Sequence, residues 1–290
     1  MTGPFATLAF RRQVAAPAAT VWQAWTAPAA RALWAAPAPG VTVDVLTADT
    51  RVGGAEVSLC KVAGQPDIRC DVAWLALGEG FSVNSEVIST LDVAQSASLV
   101  TARVAAEGEG AVLDVTVQLS NLAADMAGGY RAGFDAGLAN LADVAERMMS
   151  IQRIIAAPRD RVWAAWADAG SLPKWWGPDG FSCRTKRIDL RSGGEWVFDM
   201  IAPDGTVFPN HHKYRLFEAP RRIDYTLHWG EDGPKHADAW VIFDDLDGTT
   251  RITLSMAMAT AEEWRNARAF GAEALGQQTL GKLEAAVLRG

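Results

Sequence analysis

Two stretches of the chain carry the same spacing of apolar positions, 141 residues apart. Val21, Trp22 and Trp25 follow Pro17 at helical spacing, and Val162, Trp163 and Trp166 follow Pro158 in the same way. Proline suits a helix's first turn, where its missing N–H leaves no bond unmade. A short strand is predicted ahead of each helix, over Thr7–Val14 and Ser150–Ala156, and a second short helix ends near Trp34 or Trp175. After the paired glycines Gly53-Gly54 and Gly193-Gly194 the period changes to two. Trp196, Phe198 and Met200 then share one strand face, and further strands are expected over Tyr214–Phe217, Ile223–His228, Ala239–Phe243 and Thr250–Met256. Asp204-Gly205 and Asp247-Gly248 are hairpin signals. Each repeat closes on a long helix. In the second, Thr260 and Glu263 make a capping box ahead of Trp264, Ala267, Phe270, Ala274, Leu280, Leu283 and Val287. In the first, Asn121 is the candidate cap ahead of Met126, Tyr130, Phe134, Leu138, Leu141 and Val144.

The repeated order is strand, two short helices, six strands, long helix, which is an α+β arrangement. A period this long means two copies of a domain rather than solenoid units. The expected domains are 1–149 and 150–290, with no Gly/Ser/Pro linker between them. A curved antiparallel sheet wrapped on one long helix leaves a space between them, and periodicity does not say whether side chains fill it.

Composition narrows the partners. Hydrophobic residues make up 49% and charged residues 21% of 290, an ordinary globular profile. No apolar run approaches the roughly 18 residues of a membrane span, and the N-terminus lacks a signal-peptide pattern, so a cytoplasmic location is expected. Three cysteines, Cys60, Cys70 and Cys183, are too few and too odd in number for a disulfide framework. Net charge is −7, with −6 of it before residue 150, and no basic patch stands out, which argues against nucleic acid.

The candidate chemistry sits mostly in the second repeat, which holds eight of the twelve tryptophans and all four histidines. Trp175, Trp176, Trp196, Phe198, Met200, Phe208, Tyr225 and Trp240 are the candidates to line an apolar pocket, against the alternative that they simply fill a core. His211 and His212 are adjacent on a strand, so at most one faces inward. That one is the candidate acid/base, with Tyr214 or Tyr225 as hydrogen-bond donor. Glu195 and Asp199 are placed on the face opposite Trp196, away from such a histidine. His228 and His236 flank a hairpin, but no zinc spacing occurs, and neither a metal nor a cofactor is expected. Arg184, Lys186, Arg187 and Arg191 read as a solvated outer face.

The second repeat resembles a known family. It carries Ala-Pro158-x-x-x-Val-Trp163, Leu172-Pro-x-Trp175-Trp176-Gly177-Pro178 and Gly193-Gly194-x-Trp196-x-Phe198. Pro220-x-Arg222-Ile223, Phe270-Gly271-Ala272-Glu273 and Gln278-Thr279-Leu280-x-x-Leu283 follow. These residues resemble the START/Bet v1-like (SRPBCC) superfamily, and within it the bacterial family related to the C-terminal domain of the Hsp90 ATPase activator. The first repeat keeps Pro17, Trp22, Gly53-Gly54 and Gly133-Phe134-x-x-x-Leu138-x-x-Leu141, but has Ala35 in place of the second tryptophan of the pair. It reads as a divergent copy with a different or vestigial pocket. The resemblance implies two tandem helix-grip domains, each with a hydrophobic cavity between sheet and long helix. Members of the superfamily bind lipids, sterols, plant metabolites or polyketides, and some are cyclases or lyases. Hsp90 activation carries over poorly, because the eukaryotic activator contacts Hsp90 through a further domain with no counterpart in these residues. The expected function is binding of a small hydrophobic or aromatic molecule, mainly in the second domain. The alternatives are a cyclase, lyase or hydrolase using a histidine, and a protein-interaction module in chaperone regulation. Homodimerisation stays open.

Overall fold

The computed structural model describes residues 5–121 and 127–289. Met126 lies outside the described residues, and Asn121 ends a strand rather than opening a helix. The chain divides into two compact units, Met1–Glu146 and Arg147–Gly290. The second unit's first strand begins at Met148, two residues ahead of the expected Ser150.

In the first domain β1 (Phe5–Val14) is followed by α1 (Ala18–Thr26) and α2 (Pro28–Trp34). Six strands come next: β2 (Val41–Ala48), β3 (Ala55–Val62), β4 (Ile68–Gly78), β5 (Phe81–Thr90), β6 (Val93–Glu107) and β7 (Gly110–Asn121). The closing helix is α3 (Ala127–Glu146). The strands form one sheet in the order β1-β7-β6-β5-β4-β3-β2, every pair antiparallel. Pro17 takes the residue before α1, extended at φ −56° and ψ 145°, rather than the first helical turn. Leu138, Leu141 and Val144 of α3 are buried, as their spacing predicts.

The second domain repeats this order. β8 (Met148–Ile155), α4 (Arg159–Ala167) and α5 (Leu172–Trp175) lead into β9 (Ser182–Ile188), β10 (Glu195–Ile201) and β11 (Val207–Glu218). β12 (Arg222–Trp229), β13 (Lys235–Asp245) and β14 (Thr250–Met258) complete the sheet β8-β14-β13-β12-β11-β10-β9. The expected long helix is two helices, α6 (Ala261–Ala269) and α7 (Ala272–Arg289). Thr260 and Glu263 do form the capping box of α6. The break comes at Gly271, whose φ of +88° is left-handed and open to glycine without strain. Phe270, expected on the buried stripe, is therefore exposed, while Leu280, Leu283 and Val287 of α7 carry the packing.

Candidate functional site

The inward face of the second sheet is a cluster of rings. Trp196 pairs with His212 across β10 and β11, and His212 with Leu227 across β11 and β12, so all three point to the same side. Trp196 and Phe198 stack at 3.7 Å, and the His212 ring meets them edge-on at 5.4 and 5.1 Å. Tyr225 lies 4.9 Å from His212 and 5.8 Å from Tyr214. Trp176, from the turn after α5, closes on the cluster 5.4 Å from His212. Trp175 turns away to pack edge-on against Trp166, its indole N–H bonded to the Ala165 carbonyl at 2.9 Å. Met200 and Phe208 pair across β10 and β11, half-buried towards Phe181. Trp196, Phe198 and Tyr225 are each at most 1% exposed. These rings fill the place where a cavity was expected. Desolvation, with no carboxylate partner facing it, pushes the His212 imidazole down to about 3, so it is neutral at pH 7.

Positions in the first domain can be matched through identical backbone bonds. The Gly53 N–H reaches the Trp74 carbonyl at 2.8 Å and the Trp74 N–H reaches Gly54 at 2.9 Å. Gly193, Tyr214 and Gly194 make the same two bonds, both at 2.9 Å. The Trp34 indole bonds the Ala24 carbonyl as Trp175 bonds Ala165. Trp74 therefore stands where Tyr214 does. From the registers, Glu56, Ser58, Val72 and Asn84 stand where Trp196, Phe198, His212 and Tyr225 do. Ala35 follows Trp34 as Trp176 follows Trp175. Five rings are replaced by smaller side chains on a frame held by the same backbone bonds, and the first domain has a cavity of about 360 Å³ there. It lies between β2–β6 and the helices α1–α3. On α3, Gly129, Gly133 and Gly137 recur every four residues on the cavity side, which keeps that wall low.

The cavity wall is apolar around two polar groups. Arg31, on α2, pairs with Glu56, the two side chains being only 12% and 5% exposed, and its guanidinium lies 5.1 Å above the Trp74 ring. Glu86 accepts a hydrogen bond from the Tyr130 hydroxyl, which is itself 3.1 Å from the Ser98 hydroxyl. Burial raises the Glu86 carboxyl above the usual range, opposed by hydrogen bonds from Tyr130 and Cys70 and by the Arg31 charge. Burial also keeps Cys60 and Cys70 as thiols. The Trp74 indole N–H is buried with no hydrogen-bond partner. None of Arg31, Glu56, Trp74, Glu86 and Tyr130 was expected as a site residue. The signal was available: counted from the Gly-Gly pairs, Glu56 and Ser58 fall where the second repeat has Trp196 and Phe198.

Residues 156–287 match the family described as Activator of Hsp90 ATPase homolog 1-like protein. The second domain belongs to this family. Several solved bacterial structures are similar to part of the chain. A protein of Arthrobacter aurescens is 25% identical, covering 51% of this chain and 90% of its own, with a TM-score of 0.47. One from Mycobacterium smegmatis is 25% identical over 51% and 94%, with a TM-score of 0.46. One from Nitrosomonas europaea is 25% identical over 50% and 96%, also with a TM-score of 0.46. None of the curated proteins compared matches the chain.

The other face of the activator-like domain's sheet holds Trp240, a candidate for the pocket lining, and His211, one of the two acid/base candidates. Trp240 lies opposite Asp224 and Ser255, whereas Tyr225 lies opposite Ala239. One step along β13 puts Trp240 on the far face, so it does not line the interior. His211 is likewise turned outward, paired with Val197 and His228. There it meets Glu195 at 2.6 Å, the carboxylate that alternation had placed on this face. Glu195 also holds Arg187, which bridges to Glu231, and Arg184 and Lys186 pair with Asp199 at 2.8 and 3.0 Å. The basic residues of β9 are thus in ion pairs along the sheet. His228 is 3.1 Å from Thr226, and His236 stacks on Trp229 at 4.2 Å. Burial pushes the Cys183 thiol up to about 12. Among the described residues no three His, Cys, Asp or Glu side chains converge as a metal site, and no helix is long and apolar enough to cross a membrane.

Proposed function

We propose that the chain binds a small, mainly apolar molecule, and that the binding compartment is the interior of the first domain rather than the second. The observation that carries this reading is the 360 Å³ cavity. It sits where the second domain places Trp176, Trp196, Phe198, His212 and Tyr225. Its size and lining, apolar walls around a few convergent polar groups, are those of small-molecule sites. The activator-like domain then serves as a packed companion. Acid–base catalysis at His212 draws less support. Its ring is enclosed by other rings, and an imidazole at about 3 is neutral at pH 7, with no imidazolium proton to give and little basicity to take one.

The test is a titration of the full chain with 1-naphthylmethanol, a neutral two-ring probe, followed by calorimetry. One probe per chain is expected, with binding lost in Ser58→Phe, which returns to the cavity the ring that Phe198 supplies in the second domain. No binding, or binding unchanged by Ser58→Phe, overturns the reading.

A further inference from the structure

Among the described residues, two carboxylates, Glu56 and Glu86, and one guanidinium, Arg31, are the charged groups lining the first-domain cavity. Arg31 is engaged by Glu56. Glu86 accepts bonds from neutral donors, the Tyr130 hydroxyl and the Cys70 thiol, and the Arg31 charge, already paired with Glu56, acts on it as the weakest of these influences. An ionised Glu86 is therefore stabilised by dipoles but lacks a full countercharge of its own, in a compartment where desolvation makes that costly. Trp34, Trp74 and Tyr130 line the same cavity, and aromatic rings of this kind attract cations.

We infer that the ligand of the first-domain cavity is an organic amine: an apolar, ring-sized skeleton bearing one protonated nitrogen that pairs with Glu86. This rests on the cavity being a binding site, as argued above. The ammonium supplies the charge that Glu86 lacks, and the skeleton covers the apolar wall formed by Val72, Ile88 and Val100. The unpartnered Trp74 N–H, 1% exposed, offers one donor to any oxygen or ring face that the skeleton carries. A carboxylate or phosphate ligand fits poorly, because the one cation among the described lining residues is already committed and the net charge of those residues is negative.

The experiment compares 1-naphthylmethylamine, protonated at pH 7.5, with its neutral counterpart 1-naphthylmethanol on the full chain by calorimetry. A charge-assisted hydrogen bond predicts that the amine binds on the order of tenfold tighter or more. Glu86→Gln, nearly isosteric, is expected to bring the amine-to-alcohol ratio to about one. Tyr130→Phe, which leaves Glu86 its charge, is expected to retain the preference. Equal affinities in the native chain, or a preference that survives Glu86→Gln, overturns the amine assignment and leaves the cavity reading standing. Binding of neither probe removes both. Should Glu86→Gln fail to fold, the native ratio together with Tyr130→Phe still decides.

Discussion

Breaking the Arg31–Glu56 pair should unsettle the first domain far more than deleting both of its charges. The two side chains are 12% and 5% exposed, so solvent screens them little. Removing one partner of such a pair typically costs 3–5 kcal/mol, because the other charge is left buried without compensation. Glu56→Gln keeps an oxygen that can accept from the guanidinium, which places it near the lower end, about 3 kcal/mol. That is a large part of the roughly 5–15 kcal/mol that holds a domain together. Arg31→Leu with Glu56→Leu removes both charges, and such replacements are often neutral, so a change within about 1 kcal/mol is expected. The second domain supplies the precedent: Leu172 and Trp196 occupy the matching positions, buried to 1% and 0% exposure. Urea unfolding followed by alkylation of Cys60 and Cys70, read by peptide mass spectrometry, reports this domain alone, and Cys183 reports the other. The reasoning would be falsified if Glu56→Gln moved the Cys60 and Cys70 midpoint by less than about 1 kcal/mol, or if the double variant proved the weaker of the two.

The same labelling assay separates two glycines. A Cβ at Gly54 would lie 2.1 Å from the Asp49 carbonyl oxygen, so Gly54→Ala should cost about 2 kcal/mol or more, and a neutral result would mean that the turn can move. At Gly133 the added Cβ would sit 3.8 Å from Pro37, an ordinary contact, and Gly133→Ala should stabilise α3 by up to about 1 kcal/mol; a loss would show that the helix needs the gap. In the second domain, burial holds His212 near 3 and His236 near 4, both below the roughly 6.5 of an unfolded histidine. Between those values the unfolded chain binds more protons, so stability rises with pH up to about 6.5 and falls on acidification. His212→Phe should flatten the pH dependence of melting between about pH 4 and 6.5, and an unchanged slope would place the acid sensitivity elsewhere.

The frame was legible in the sequence because its markers are rigid and repeated. Pro17 and Pro158, Trp34 and Trp175, and the Gly-Gly pairs recur at nearly one offset, and each makes the same local bond in both domains. Strand alternation correctly set Trp196 and Phe198 inside and Glu195 and Asp199 outside. It did not place Trp240, because β13 is buried on both faces from Ala237 to Val241, and a strand buried on both sides shows no alternation to read. Nor did it locate the open space. An aromatic residue on an inward face has the same pattern whether it lines a void or fills one. The difference is carried by small and polar residues such as Ser58 and Asn84, which no hydrophobic period reports.

A frame held by backbone bonds at Gly54–Trp74 and Gly194–Tyr214 leaves the inward strand positions free to change. That freedom accounts for how one architecture supports both a packed and a hollow interior. In a packed core, exchanging Trp196 for a carboxylate would bury an unpaired charge at a cost of several kcal/mol. In the first domain the corresponding Glu56 is tolerated because Arg31 replaces Leu172 at the facing helix position. The two changes make sense only together. Glu86 takes the place of Leu227 with no equivalent cation, although hydrogen bonds from Tyr130 and Cys70 soften its burial. A paired substitution preserves stability, whereas an unpaired one costs it, and proteins hold such costs chiefly at sites of function. The asymmetry between Glu56 and Glu86 thus directs the search for a ligand to the wall of β5.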